Sequence, residues 1–434
     1  MQQSLNIFWF RRDLRLDDNL GFFEALKSDK PVLPIFIFDT EILDTLSRND
    51  ARVTFIFNTL QNMRSTLQKE YLSSLAIYYG SPESVFKALI KEYDIHSVYT
   101  NLDYEPYATT RDTSIKIILK EKNIQFNTYK DQVVFEKDEI VKQDGTPYVV
   151  YTPYMKSWKD KFKSYNLEIY NTNQYFNNLI KNRTLPNVSL TDIGFEKSSQ
   201  KINDHTLTPT LIQNYEATRN FPAQDSTSKL GPHLRFGTVS IRKMIQKAIA
   251  ENNEIFWQEL IWREFFMQIL WHFPNTYKDA FKPKYDRIEW RNNDNEFKAW
   301  CEGKTGYPLV DAGMRQLNET GFMHNRVRML TASFLCKHLL IDWRWGEAYF
   351  AEKLHDYEMA SNVGNWQWVA GSGVDASPYF RIFNPTTQIE KFDKQLEYIK
   401  KWIPEFQEFT YPHPIVGHKE ARERCLRVYK KALS

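Results

Sequence analysis

The segment ELIWREFFMQILW, residues 259–271, brings acidic, aromatic and basic side chains together at helical spacing. Steps of three and four residues place Glu259, Trp262 and Arg263 on neighbouring turns of one helix face. A carboxylate and a guanidinium beside a flat indole ring could read the edge of a planar ligand and stack on its face. An exposed Glu259–Arg263 ion pair next to a core tryptophan explains the same spacing without a ligand. Taken alone, the segment favours this second interpretation.

A second predicted helix begins with the segment HNRVRMLTASFLCKHLL. Its spacing places Asn325, Arg328 and Met329 on one side and turns Arg326 towards solvent or a phosphate. A capped helix start with a solvated basic face is the simpler interpretation. Downstream, LHDYEMASNVGNW contains Asp356, a candidate partner for Arg328, because a guanidinium in an aromatic-rich interior is costly without a carboxylate.

Two further segments combine small residues with polar ones. DSTSKLGPHLRFG, residues 225–237, carries hydroxyl groups and backbone amides that could cradle a phosphate at the start of a helix. NVGNWQWVAGSGVDASPYFRIFNPTTQ, residues 362–388, is too rich in Gly, Ser and Pro for a long regular helix and too aromatic for an ordinary surface linker. The second segment therefore indicates a surface that contacts a ligand.

The elements that must position these residues follow two patterns. The first third alternates apolar strands, predicted at 6–10, 32–38, 75–79 and 97–101, with amphipathic helices at 52–71, 82–93 and 110–122. This alternation predicts a doubly wound parallel sheet with helices on both faces, a Rossmann-like α/β domain. No GxGxxG motif follows the first strand, so the dinucleotide fingerprint is absent.

Beyond the first third, the pattern changes twice. From about residue 131 it gives way to Asn, Thr, Lys, Tyr and Pro, which indicates a long connector. After residue 205 the helical period dominates, most clearly at 255–270 and 325–340. We therefore predict an α/β domain over residues 1–130, a connector over 131–204 and a larger all-helical domain over 205–434.

The composition limits the class of protein. With 434 residues, 42% hydrophobic and 26% charged, the chain is a globular protein long enough for two domains. Its net charge of +3 is too small to identify a nucleic-acid partner. Three distant cysteines without CxxC or metal-spaced histidines predict neither disulfides nor a metal site. Because the N-terminus lacks a signal-peptide pattern and no apolar run reaches the ~20 residues of a membrane helix, we expect a cytoplasmic protein without a membrane anchor.

Together and in this order, the segments resemble the photolyase/cryptochrome flavoprotein family. The resemblance runs from WFRRDLRLDDN to FDKQLEYIKKWIPE, and its most specific parts are ELIWREFF, KTGYPLVDAGMRQL, GFMHNRVRM and GNWQWVAGSGVDASPYFRIFNP. Among the branches, the chain is most similar to the class I cyclobutane pyrimidine dimer (CPD) photolyases of microbes. The resemblance implies a monomeric, light-driven lyase: excited FAD, reduced to its anion, passes an electron to a flipped-out dimer in UV-damaged DNA, and the electron returns after the ring splits.

The resemblance also assigns the FAD site. Arg328 paired with Asp356 should flank the flavin ring, and Asn362 should face its N5 atom. The residues that should contact FAD are Tyr215, Thr227, Ser228, Lys229, Leu230, Gly231, Arg328, Asp356, Tyr357, Glu358 and Asn362. Many relatives carry Ser at the position of Gly231, so we expect its backbone N–H to replace a hydroxyl contact.

On the DNA side, the resemblance makes Trp262 and Trp368 the walls of a lesion pocket, and Glu259 and Asn325 the readers of base edges. The remaining DNA and lesion contacts should be Arg219, Arg263, Arg326, Met329 and Gln388. A protonated Glu259 could donate to a thymine carbonyl and stabilise the negative charge that develops there. The spacing of Trp366 and Trp368 would let one short turn serve both cofactor and substrate.

Three tryptophans match the family's electron relay, which photoreduces oxidised FAD from the protein surface. They are Trp366, Trp343 and Trp290. Core packing explains the same residues, and a relay can also be part of a core.

The substrate and the class of function have alternatives. Enzymes for the (6-4) photoproduct carry His where Asn325 and Met329 stand, so their absence disfavours that substrate. A cryptochrome-type blue-light photoreceptor is the alternative from another class of function, and a generic flavoprotein or RNA-binding helical domain is a third. Tyr107 and Ala108 replace the Asn-Glu pair of relatives that bind a folate antenna. Folate is therefore not expected in its usual pose, whereas a deazaflavin, a second flavin or no antenna remain open.

Overall fold

The computed structural model describes residues 4–434. The chain forms two compact units, each assembled from three segments. Unit 1 comprises Met1–Glu139, Asp160–Asp204 and Leu230–Ala250, and unit 2 comprises Ile140–Lys159, His205–Lys229 and Glu251–Ser434. The predicted connector therefore contributes residues to both units. The boundaries inferred from the sequence, near residues 130 and 205, stay a prediction.

Unit 1 is built on a five-stranded, all-parallel sheet with the order β3-β2-β1-β4-β5. Its strands are β1 (Leu5–Phe10), β2 (Val32–Asp39), β3 (Ala76–Gly80), β4 (Ile95–Asn101) and β5 (Gln125–Tyr129). The first four confirm the predicted strands. The sequence of β5, QFNTY, is polar and only partly buried, so apolar alternation did not reveal this edge strand.

Burial on both faces explains why β1 is apolar throughout. Phe8 and Phe10 point into one core of unit 1, whereas Ile7 and Trp9 point into another. Successive side chains of a strand point to opposite faces of the sheet, so a fully apolar strand is a covered central strand. This arrangement confirms the predicted doubly wound α/β fold.

The helices follow the strands and then fill the second half of the chain. They are α1 (Leu20–Lys27), α2 (Thr40–Leu43), α3 (Ala51–Glu70), α4 (Pro82–Glu92), α5 (Pro106–Lys120), α6 (Tyr151–Lys163), α7 (Pro209–Thr218), α8 (Leu230–Arg235), α9 (Ile241–Ala250), α10 (Glu254–His272), α11 (Asp294–Cys301), α12 (Pro308–Thr320), α13 (Asn325–Ser333), α14 (Trp343–Lys353), α15 (Met359–Ala370), α16 (Pro385–Phe392), α17 (Glu397–Trp402) and α18 (His418–Leu433). Helix α4 shows a typical start: the Ser81 hydroxyl accepts from the backbone N–H of Ser84, and Pro82 occupies the first turn.

Unit 2 is helical around an aromatic core that includes Trp300, Trp343 and Trp366. The helix predicted over 325–340 is present as α13, continued by a π-helical segment, Phe334–Leu339. The 362–388 segment differs from the expectation. Residues up to Ala370 continue α15, which ends where Gly371 adopts a left-handed backbone with φ of 93°. Gly364 lies within α15, whereas Gly371, Gly373 and the two prolines of the segment lie at or beyond its end.

Candidate functional site

The lesion wall predicted at Trp262 lies on α10 and is half-buried. The ring of Tyr151 stacks on it, with centroids 3.5 Å apart and planes inclined by 8°. Phe266, one turn later on α10, lies against the indole at 5.6 Å and 28°. Sequence reasoning missed Tyr151 because it lies in the predicted connector. The helical spacing of Tyr151, Tyr154 and Trp158 in YTPYMKSW was the available signal.

Glu259 forms an ion pair, but not with the residue one helical turn away. Its carboxylate accepts from the guanidinium of Arg219, at the end of α7, and the two side chains are 36% and 27% exposed. The alternative of a local Glu259–Arg263 pair is thus not the arrangement found.

Arg263 turns inward and pairs with Glu358, with Nε and Oε2 3.2 Å apart and side-chain exposures of 12% and 7%. Glu358 is among the residues predicted to contact FAD. The predicted contact of Arg263 with the DNA backbone does not agree with this burial. A buried guanidinium is held by its carboxylate partner, and Arg263 is better suited to fix Glu358.

The start of α13 presents the predicted reader. Asn325 is exposed at the first helical position, and Met329, one turn later, is half-buried. His324 caps the helix, because its Nδ1 accepts from the backbone N–H of Arg326 at 3.2 Å. Burial and the nearby cations, Lys229 first, lower the pKa of His324 to about 4. This imidazole is therefore neutral near pH 7.

A cluster of arginines lies near this helix start. Burial, followed by the positive charges of Arg219 and Arg381, lowers the pKa of Arg326. The Arg326 guanidinium lies 4.5 Å from the ring centroid of Phe392 and also donates to the side chain of Asn220. Mutual repulsion within such a cluster is relieved when an anion binds, so the cluster suits phosphate groups.

The predicted pair of Arg328 and Asp356 is confirmed. Two parallel hydrogen bonds, Nη1–Oδ1 at 3.1 Å and Nη2–Oδ2 at 2.8 Å, join the side chains. The remaining Nε–H donates to the backbone carbonyl of Met323 at 2.7 Å. A fork held on three sides has little rotational freedom, so it can present a fixed charge to a ligand.

Asn362 is oriented by a carboxyl that the sequence did not reveal. Its Nδ2 donates to Oε1 of Glu347 at 2.9 Å and to the Glu347 backbone carbonyl at 3.2 Å. Burial raises the pKa of Glu347, and hydrogen bonds from Asn362 and Tyr357 oppose that rise. Because the amide nitrogen faces Glu347, the carbonyl oxygen of Asn362 faces the other way as an acceptor.

Trp366 and Trp368 lie on α15 rather than on a short turn. Residues two positions apart in a helix are separated by about 200° around its axis. The indoles of Trp366 and Trp368 therefore point in nearly opposite directions. Trp366 is 2% exposed and belongs to the core, whereas Trp368 is half-buried. The helix thus separates the two roles that the sequence placed on one turn.

The three relay candidates are parts of packed clusters. Trp366 lies 6.2 Å from Trp300 between ring centroids, and Trp343 is buried at the first position of α14. Trp290 is half-buried and meets the buried ring of Tyr429 edge-on at 5.9 Å. Core packing therefore accounts for these positions, and their role in electron transfer stays a prediction.

The 225–229 loop has polar groups that suit FAD phosphates. The Thr227 hydroxyl is buried and makes no hydrogen bond within residues 4–434. Lys229 adopts a positive φ of 56° and its ammonium lies 3.1 Å from Asp225. An orphaned buried hydroxyl is a donor that a phosphate oxygen would satisfy, and the same loop carries a lysine, so the residues fit the group. Tyr215, on α7, lies 5.5 Å from the Arg219 guanidinium.

Three predicted residues lie at helix starts. Leu230 and Gly231 open α8, which belongs to unit 1. Gln388 lies in the first half of α16 and is half-buried. Their roles towards FAD and DNA stay predictions.

In unit 1, the carboxyl ends of the strands carry a dense network of the chain's own charges. The Tyr107 hydroxyl donates to Oδ2 of Asp39 at 2.6 Å. The guanidiniums of Arg11 and Arg111 each lie 5.0 Å from the ring centroid of Trp9. Such an edge of a parallel sheet often binds ligands.

Two classes of feature are absent from the described part of the chain. Within residues 4–434, no helix has the length and apolar character needed to cross a bilayer. Nor do these residues bring three or more His, Cys, Asp or Glu side chains together as a metal site.

Comparisons with known proteins agree with the two-unit architecture. The family model of DNA photolyase matches residues 6–172, and that of the FAD binding domain of DNA photolyase matches residues 256–410. The deoxyribodipyrimidine photo-lyase of Agrobacterium fabrum is 36% identical over 470 aligned positions, which cover 98% of this chain and 97% of that protein.

Two solved structures are similar over nearly the whole chain. A bacterial class III photolyase from Agrobacterium tumefaciens superposes with a TM-score of 0.86 at 33% identity, covering 100% of this chain and 98% of the other. A Synechocystis cryptochrome gives the same TM-score, 0.86, at 25% identity, with 99% of each chain covered. The expected similarity to class I enzymes in particular stays a prediction.

Both halves of the chain match family models, and a relative more than 30% identical aligns with almost all of it. The protein therefore belongs to the photolyase/cryptochrome family and is a light-driven DNA-repair flavoprotein that binds FAD.

Proposed function

We propose that this protein is a CPD photolyase that holds a flipped-out pyrimidine dimer against unit 2 and splits it in light. One observation carries the proposal: Glu259 and Trp262 share a face of α10, and Arg219 binds Glu259 from within the arginine cluster. A flipped-out pyrimidine dimer requires a planar wall, a polar group that reads the base edges and cations that bind its phosphates.

Reduced FAD, when bound and excited, supplies the electron that opens the cyclobutane ring. The chain's own residues hold the cofactor and set its surroundings. The Thr227 hydroxyl is available to a phosphate oxygen, and the Arg328–Asp356 fork is available to the ring system. Glu347 turns the Asn362 carbonyl oxygen away from itself, so Asn362 would accept a hydrogen bond from a protonated flavin nitrogen.

In DNA binding, the arginine cluster would act first through its charge, and the lesion pocket would act second through its shape. The arginine cluster meets phosphates and gives affinity that depends on salt. Extrusion of the dimer costs a few kcal/mol of stacking, less at a damaged step than in intact DNA. Stacking on Trp262 and Trp368 offsets that cost, and Asn325 and Glu259 bond the base edges.

The (6-4) photoproduct fits this site less well than the CPD. Its repair needs an imidazole proton donor at the lesion, and Asn325 and Met329 provide none. The adjacent His324 is engaged as a helix cap, and burial lowers its pKa to about 4. The His324 imidazole would therefore be neutral near pH 7 and would not supply the proton that this repair needs.

A second candidate function is blue-light signalling without repair. The observation behind this candidate is that the chain is as similar in fold to a Synechocystis cryptochrome, TM-score 0.86, as to the bacterial photolyase. A signalling flavoprotein needs FAD and the tryptophans, but it does not need a lesion pocket.

Binding in the dark separates the two functions. Dissociation constants are measured for FAD-loaded protein with duplexes carrying one thymine CPD, one (6-4) photoproduct or no damage. We expect a preference for the CPD duplex. Trp262→Ala should weaken CPD binding by about 1–3 kcal/mol, about 5- to 150-fold, and leave undamaged binding unchanged, because each stacked base contributes that much. Trp262→Phe keeps a flat ring and should keep most of the preference. Equal affinity for all three duplexes would support signalling.

A further inference from the structure

The face-to-face contact of Tyr151 and Trp262 lies at the predicted lesion wall. With 3.5 Å between centroids and 8° between planes, the phenol covers one face of the indole as closely as a stacked base would. Tyr151 therefore excludes a ligand from this face of Trp262 while it stays in place.

Several bonds keep Tyr151 in place. Its hydroxyl donates to the backbone carbonyl of Gln258 at 2.8 Å, one residue before Glu259. Its backbone N–H donates to Oδ2 of Asp375 at 3.2 Å, and the residue is only 5% exposed. Burial, with the nearby charge of Glu259, raises the pKa of Tyr151 far above its ordinary value. The phenol thus remains a neutral donor throughout the ordinary pH range.

The rest of α6 holds its first residue against α10. Tyr154 packs on Phe265 with 5.2 Å between ring centroids, and the indole N–H of Trp158 donates to the buried Glu264. Tyr151, Tyr154 and Trp158 are three and four residues apart, so they share one helix face. The first two turns of α6 form a brace along the helix that carries Trp262.

We propose that Tyr151 is a positioning residue for lesion recognition: its ring fixes the plane of Trp262, so that the indole offers one prepared face to a flipped pyrimidine dimer. The inference rests on the proposed function. An aromatic wall already in its bound orientation loses less side-chain freedom when the lesion arrives. Removing the brace leaves Trp262 present but mobile.

The test compares CPD and undamaged duplexes in the dark, with FAD occupancy checked by absorbance. Tyr151→Leu should weaken CPD binding by about three- to tenfold, the equivalent of immobilising one side chain. Undamaged binding should be unchanged, and repair of a saturating CPD substrate should fall less than the affinity. Tyr151→Phe retains the stacked ring and should restore selectivity. Tyr349→Leu removes a tyrosine that packs on another tryptophan, Trp300, at 5.7 Å between ring centroids, and should lower thermal stability without lowering selectivity.

The outcomes are distinguishable. If Tyr151→Leu keeps the wild-type selectivity, or if Tyr349→Leu loses as much, the positioning role is wrong. If Tyr151→Leu binds the CPD more tightly, Tyr151 instead occupies the place of the lesion and must leave it. A wild-type protein that binds FAD but shows no CPD preference would overturn the proposed function itself. Should Tyr151→Leu not accumulate folded, Tyr151→Met has a longer, more adaptable side chain to fill the space of the ring and carries the same expectation.

Discussion

Glu259 shows how a single side chain depends on its partner. Helical spacing allowed a pair with Arg263, but Glu259 pairs with Arg219 and Arg263 pairs with Glu358. Arg263 is close to Glu259 in sequence, whereas Arg219 is close to it only in the folded structure. Tertiary contacts therefore determine that Glu259 pairs with Arg219. The Arg328–Asp356 pair could be predicted because a guanidinium in an aromatic-rich interior is costly without a carboxylate. Glu347 and Tyr151 were missed, because neither lies in a segment whose composition indicated a site.

The role of the Glu259 carboxylate is testable by one substitution. Glu259→Gln keeps the shape of the side chain but removes the negative charge that pairs with Arg219. The repair quantum yield of Glu259→Gln should therefore be lower than that of the wild type. Illumination of each protein with a saturating CPD substrate measures the two yields. Full yield for Glu259→Gln would leave the charge of this residue no special part in repair.

Helices and strands were predictable where their burial is periodic. Strands β1 to β4 and helix α10 have such patterns, and all five are present. Helix α15 was not expected beyond residue 362, because the glycines that follow its end were read as part of the same segment. Helix α6 was missed as well, because lysines are prominent at its exposed positions and its buried positions are the aromatic residues Tyr151, Tyr154 and Trp158. The composition of a segment averages residues on both sides of a helix end. It therefore does not show the residue at which the helix begins or ends.

The contact between α14 and α15 leads to a prediction about packing. A Cβ at Gly346 would lie 2.1 Å from the Trp366 ring and 2.5 Å from Leu335. Gly346→Ala should lower the free energy of unfolding by about 1–3 kcal/mol, the usual cost of overpacking. Urea denaturation measures this. Gly417→Ala is the matched control, because its nearest neighbour would be 3.4 Å away, and should change stability by no more than about 0.5 kcal/mol. Equal stability of Gly346→Ala and wild type would contradict the close packing of Trp366.

For the molecule as a whole, the net charge of +3 conceals a local concentration of arginines. Arg326→Gln should reduce the slope of log binding constant against log salt by about one unit, because one phosphate contact is lost. Titrations at several salt concentrations measure the slope. Lys163→Gln, an exposed cation of unit 1, should leave it unchanged. The same slope for Arg326→Gln and wild type would remove Arg326 from the DNA interface.

Stability should also depend on pH through a buried histidine. Burial, then the nearby His418 and Arg424, lowers the pKa of His338 to about 3, whereas an unfolded histidine titrates near 6.5. Below pH ~6.5 the unfolded chain therefore binds a proton that the folded chain does not, so stability falls as pH drops towards 3. The loss from this residue should reach about 2 kcal/mol at pH ~5.

Urea denaturation near pH 7 and pH 5 measures this dependence. His338→Gln should have a pH dependence smaller by about that amount, while His96→Gln, at an exposed position, should match the wild type. An unchanged pH dependence in His338→Gln would assign the acid sensitivity to other groups.

Light-dependent repair of a defined lesion measures the proposed activity itself. FAD-loaded, reduced protein is mixed with an oligonucleotide that carries one thymine CPD, and the dimer content is followed in blue light and in the dark. We expect the dimer to disappear in light alone, the (6-4) photoproduct to persist, and Trp262→Ala to slow repair at limiting substrate more than Trp262→Phe. An intact dimer after illumination of protein with reduced FAD bound would contradict the proposed activity.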